Sequence, residues 1–142
     1  MTVFADSSAL VKLYADEPGC EQVRAVPLFV VSALARVEIP AALWRKSRMG
    51  ELSADHASLL TAAFESDWYD GAGPFAVIAA NPVVLETAAK LVATRSLRAY
   101  DAVQLASGLA ARAADPAVEV FACFDEGLRS AAAQEGFVVD LA

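Results

Sequence analysis

One histidine and two cysteines are the only imidazole and thiol side chains among 142 residues. His56 has no second His or Cys at ligand spacing, which excludes a structural zinc site and argues against histidine-based catalysis. Cys20 and Cys123 are too few for a disulfide framework, so both are expected as free thiols. Positive charge is scarce too: 11 Lys and Arg face 18 Asp and Glu, a formal net charge of −7. That balance excludes a protein that coats nucleic acid through bulk positive potential, while leaving room for a local basic groove. Long apolar runs are missing as well. Stretches without charge, such as 71–85, are too short or too broken by Gly and Pro to cross a bilayer. Asp6 interrupts the first apolar residues before a signal-peptide core develops. The expected setting is the cytoplasm, with no membrane partner.

What the chain does hold is apolar residues, 57% of the total. A chain of this length buries about 68–70% of its unfolded surface, enough for a core without staples. No linker or internal repeat divides it, so one domain over 1–142 is expected. Three runs rich in Val and Phe, at 3–5, 29–31 and 118–123, read as short buried strands, and 75–78 and 137–141 are two further candidates. Between them lie segments with helical spacing, such as Leu97, Asp101, Leu105 and Leu109, or Leu34, Glu38, Ala41 and Arg45. Strands alternating with helices predict an α/β fold in which helices cover both faces of a parallel sheet of about five strands. Two successive helices, 33–49 and 54–67, predict a hairpin projecting from that sheet. Ser53 suits the N-cap of the second, and Pro40 predicts a bend in the first.

Four acids stand out against this pattern. Asp6 directly follows the first strand and Asp125 directly follows the strand at 118–123, so both belong to the carboxyl edge of a parallel sheet, where ligands bind. The helix after 29–31 starts at the same edge and carries Glu38 in its second turn. Asp101 lies near the start of the helix 98–112, on the inward stripe shared with Leu105. A carboxylate on an apolar helix face is costly unless paired or metal-bound. Each acid has a structural alternative: Asp6 and Asp125 suit helix N-caps, and Asp101 suits a cap or a pair with Arg98. Glu38 has no good structural partner, since Arg45 lies seven residues away. Jointly, the four read as one divalent-cation site. Hard oxygen ligands without His or Cys select Mg²⁺ or Mn²⁺, and such a site suits phosphoryl chemistry by a metal-activated water.

The segments Val3 to Tyr14, Ser32 to Glu38, Leu97 to Ala106 and Phe124-Asp125 resemble the PIN domain, and more narrowly the toxins of VapBC toxin-antitoxin pairs. The resemblance runs in order over nearly the whole chain. It implies a PIN-like three-layer α/β/α domain and a Mg²⁺- or Mn²⁺-dependent endoribonuclease that leaves a 5′-phosphate. By matching positions, Asp6, Glu38, Asp101 and Asp125 are the metal-holding, catalytic acids, and Ser8 is the small hydroxyl residue that orients Asp6 or a water. One departure is Cys123, where the family has Ser or Thr two residues before its fourth acid. The resemblance also implies an RNA substrate, a homodimer and a small VapB-like antitoxin lying across the groove. The helix hairpin is the candidate antitoxin clamp, with Trp44, Phe64, Trp68 and Tyr69 as candidate contacts. Lys12, Arg36, Arg45, Lys46, Arg48 and Arg98 are the cations available to RNA.

Competing readings differ at named positions. A phosphatase of the haloacid dehalogenase type needs a second Asp two residues after the first, and Ser8 stands there. A receiver domain needs an acidic pair before its phospho-acceptor and a Lys after its last strands, and neither is in place. The strongest rival is a PIN-like domain that binds RNA or protein without cleaving, with the acids acting as caps.

Overall fold

The Val- and Phe-rich runs form the sheet and the intervening segments form helices. The computed structural model describes residues 2–141. Along the chain come β1 (Thr2–Ala5), α1 (Ser7–Leu10) with a single 3-10 turn at Val11–Leu13, α2 (Cys20–Arg24) and β2 (Phe29–Ser32). Then follow α3 (Ala35–Arg48), α4 (Ala54–Tyr69), β3 (Phe75–Ile78), α5 (Pro82–Thr94), α6 (Ala99–Ala114), β4 (Val118–Ala122) and α7 (Glu126–Gln134). All strand pairs are parallel, in the order β3-β2-β1-β4. Among the described residues no helix is long and apolar enough to cross a membrane.

Alternation along the strands assigns side chains to two cores, as a sheet covered on both faces requires. Phe4, Val30 and Phe121 pack with Leu91, Leu105 and Leu128 of α5, α6 and α7. Val3, Ala5, Val31 and Val120 pack on the opposite face with Leu10, Ile39, Leu43 and Phe64. The result is three layers. Close approach of α6 depends on Gly108, where an added Cβ would stand 2.8 Å from the Phe121 ring. That approach holds the first turn of α6, with Asp101, at the end of the sheet.

Two expectations are corrected in detail. Among the described residues four strands form the sheet, because 137–141 contributes a single bridge, Val120 to Val138. Gly136 turns the chain at φ +90 and Phe137 then buries against Phe121, ring centroids 5.4 Å apart, so the segment is held by a side chain rather than a ladder. Glu38 falls in the first turn of α3, not the second. Pro40, where a bend is expected, lies inside that helix, which runs on to Arg48. The hairpin of α3 and α4 is present, but its inner face is built into the core, with Ile39, Leu43 and Phe64 fully buried.

Candidate active site

β1 and β4 are neighbours running in one direction, so the residues that leave them emerge at the same edge. Asp6 and Asp125 are those residues, each also the N-cap of the next helix. Asp6 N–H still donates to the Ala122 carbonyl at 3.1 Å, which ties the two exits together. Glu38 in the first turn of α3 and Asp101 in the first turn of α6 come to this edge from the two helical layers. The four acids enter as two pairs.

Asp6 and Glu38 form the inner pair. Asp6 is 4% exposed, and its carboxylate is wrapped by donors. Ser8 Oγ lies 2.7 and 2.9 Å from its two oxygens, Ala9 N–H donates at 3.0 Å and Cys123 Sγ at 3.1 Å. Desolvation by burial nevertheless pushes the Asp6 carboxyl up to about 6, against those donors and with help from the Glu38 charge. Removing a buried anion from water costs more than these hydrogen bonds return. Cys123 is raised too, by burial and by Asp6, and stays a neutral thiol donor. Glu38 Oε1 accepts from Ser7 Oγ at 2.9 Å and from Gln104 Nε2 at 2.7 Å.

Asp101 and Asp125 form the outer pair and face an open cleft of about 450 Å³, lined also by Arg98, Leu97 and Gly127. Burial and the Asp125 charge raise the Asp101 carboxyl, while Arg98 pulls it back. Asp101 caps nothing, since α6 has no side-chain cap. One Asp125 oxygen caps α7 through Leu128 N–H at 3.1 Å. Among the described residues no three His, Cys, Asp or Glu side chains stand close enough to close on one ion. Magnesium does not require that, because it is held by one or two carboxylates and keeps several waters. A donor set made only of hard oxygens, two like-charged pairs in which Asp6 and Asp101 have raised carboxyls, and a buried amide oxygen of Gln104 without a donor fit a hydrated divalent cation.

The cations are placed unevenly. Lys12 is buried, donates to Glu17 at 2.9 Å and sits 4.4 Å from the Phe124 ring centre. Lys46 bonds the same Glu17 at 2.6 Å. Burial pushes the Glu17 carboxyl up, but Lys46 and Lys12 outweigh it and hold it below the usual range. These groups, with Arg45 and Phe124, line a groove of about 440 Å³ that reaches Ser8 beside Asp6. Arg36 is paired with Glu65 at 3.2 Å. Arg98 borders the Asp101 cleft. Among the candidate contacts, Phe64 is core and Trp68 packs on it, while Trp44 and Tyr69 are exposed. Sequence reasoning passed over Ser7 and Gln104. Gln104 was signalled by its place three residues after Asp101, one turn along the same helix face.

A parallel sheet between helical layers, with acids gathered at its carboxyl edge, defines a class of α/β domain built to bind at the strand ends. The family model for the PIN domain matches residues 3–134, and the chain belongs to that family. Two solved structures share the fold. VapC20 of Mycobacterium tuberculosis, described as a sarcin-ricin loop cleaving toxin, superposes with a TM-score of 0.64 at 16% identity, covering 99% of this chain and 100% of its own. PAE2754 of Pyrobaculum aerophilum gives 0.62 at 23% identity, covering 92% and 79%. None of the curated proteins matches the sequence.

Proposed function

We propose that this chain is a Mg²⁺- or Mn²⁺-dependent endoribonuclease acting as the toxin of a type II toxin-antitoxin pair. The observation that carries this reading is the convergence of Asp6, Glu38, Asp101 and Asp125 on one sheet edge as two like-charged pairs. Membership of the PIN family and the RNA-cleaving activity named for VapC20 support it. When bound, the divalent ion supplies positive charge that readies a water and steadies the phosphate in an in-line displacement. Asp6 and Glu38 would face it from the inner side and Asp101 and Asp125 from the outer, one or two of them as direct ligands and the others through its waters. Ser8 keeps Asp6 in one rotamer, and Ser7 does the same for Glu38. Arg98 offers a phosphate contact at the open cleft, and Lys12 with Arg45 and Lys46 lines the groove along which the strand leaves. The remaining expectations belong to the same proposal: a single domain over 1–142, a homodimer in the cytoplasm, and a small VapB-like antitoxin that covers the cleft.

The hydrogen bonds that fill both Asp6 oxygens favour one alternative, a PIN domain that binds RNA or protein without cutting it. Incubation with RNA separates the two. The enzyme reading expects cleavage with Mg²⁺ or Mn²⁺, none in EDTA, and none from Asp6→Asn although its circular dichroism matches the parent. Cleavage that survives both treatments contradicts the metal mechanism, and intact RNA under all conditions favours the binding module.

A further inference from the structure

Gln104 is 2% exposed, in the middle of α6, among apolar neighbours. Its Nε2 donates to Glu38 Oε1 at 2.7 Å and lies 3.2 Å from Ser7 Oγ, while Ser7 Oγ donates to the same Glu38 oxygen at 2.9 Å. The amide orientation follows from charge: the nitrogen must face the carboxylate, because the amide oxygen there would be repelled. That leaves Gln104 Oε1 buried with no hydrogen-bond donor among the described residues. A leucine at this position would fill the volume without stranding a polar atom, so packing alone does not account for glutamine. Asp101 stands one turn earlier on α6, so Gln104 is where the inner and outer acid pairs meet through a helix.

We propose that Gln104 is a positioning residue of the acidic cleft, its amide nitrogen fixing Glu38 against Ser7 and its free amide oxygen serving a donor that arrives with the hydrated cation. The inference rests on the cation-dependent reading above. Two protein groups holding one Glu38 oxygen leave the other oxygen and its direction defined, which is the office of groups that orient metal ligands. No reacting atom touches Gln104.

The test compares the full chain with Gln104→Leu, which keeps the volume, and Gln104→His, whose imidazole restores one donor and one acceptor. Mn²⁺ affinity is read by electron paramagnetic resonance, RNA cleavage by kcat and KM, and folding by melting in EDTA. Gln104→Leu is expected to bind Mn²⁺ about 10- to 100-fold more weakly and to lose kcat in step. Its RNA KM stays within about twofold and its melting in EDTA does not fall, with part of the Mn²⁺ affinity returning in Gln104→His. Unchanged Mn²⁺ affinity in Gln104→Leu overturns the proposal, whatever happens to melting. A parent protein that binds Mn²⁺ but cuts no RNA sinks the ribonuclease reading alone, because the Mn²⁺ comparison still decides the role of Gln104. A parent that holds no Mn²⁺ overturns both.

Discussion

The two acid pairs share an edge and differ in almost everything else. Asp6 is enclosed, both of its oxygens occupied by Ser8, Ala9 and Cys123, and Glu38 is held by Ser7 and Gln104. Asp101 and Asp125 instead face an open cleft, and Asp101 has no capping role. Enclosure gives the inner pair a fixed geometry at the cost of a desolvated anion. Openness leaves the outer pair in contact with solvent. Under the proposed cation-dependent function, one wall of each kind would suit a site that keeps an ion and still admits a phosphate.

The largest effect expected from breaking this contrast is on cleavage. Outer partners of metal ligands typically cost 10- to 100-fold when removed, so Asp6→Asn, Glu38→Gln and Asp101→Asn are each expected to lose more than about 100-fold in kcat/KM, measured on a short RNA. If Asp101→Asn stays near the parent rate while Asp6→Asn is inactive, only the inner wall works.

Stability without metal should separate the walls next. The Asp6 carboxyl is raised in the fold from 3.8 to about 6, so the folded state holds that proton more tightly than the unfolded chain does. The linked stability is fully present below pH 4 and is lost as pH rises through about 6. The shift corresponds to on the order of 3 kcal/mol. In EDTA at pH 8 Asp6→Asn is therefore expected to melt above the parent by up to that amount, reduced by amide hydrogens that meet Ser8 and Cys123. The gain should vanish at pH 4. A variant that melts lower at pH 8 would make Asp6 a structural cap first.

Smaller shifts sharpen the picture. Cys123→Ser replaces a weak donor by a hydroxyl, which should lower the Asp6 carboxyl and add about 1 kcal/mol to metal-free stability at pH 8. No change there would mean that the thiol contact is incidental. Asp101→Asn, half-exposed and screened, is expected to gain less than about 1 kcal/mol in EDTA. A gain equal to that of Asp6→Asn would erase the difference between the walls.

The outer elements of this account were legible in the sequence. Val3 to Ala5, Phe29 to Val31 and Val118 to Cys123 announced strands because buried parallel strands are continuous apolar runs, and Asp6 and Asp125 followed from their positions after them. Asp125, read as suiting a helix N-cap, does cap the helix Glu126–Gln134. The run at 137–141 misled because alternation without a partner ladder does not make a strand; Phe137 alone had a burial site. Tertiary contacts between distant residues were invisible: Gln104 looked like one polar residue on an apolar helix, and Glu17 gave no sign that it would gather Lys12 and Lys46. Cys123 was noted as a departure, yet its bond to Asp6 depends on β1 and β4 lying side by side.

The central claim is that both walls address one hard cation. Crystals soaked in Mn²⁺ and measured at its absorption edge test it most directly. An anomalous peak in the cleft between Asp6 and Asp101, within roughly 2.0–2.3 Å of at least one carboxylate oxygen, is the expected result. A saturated soak with no peak there, or with manganese only at surface acids outside this edge, would contradict it.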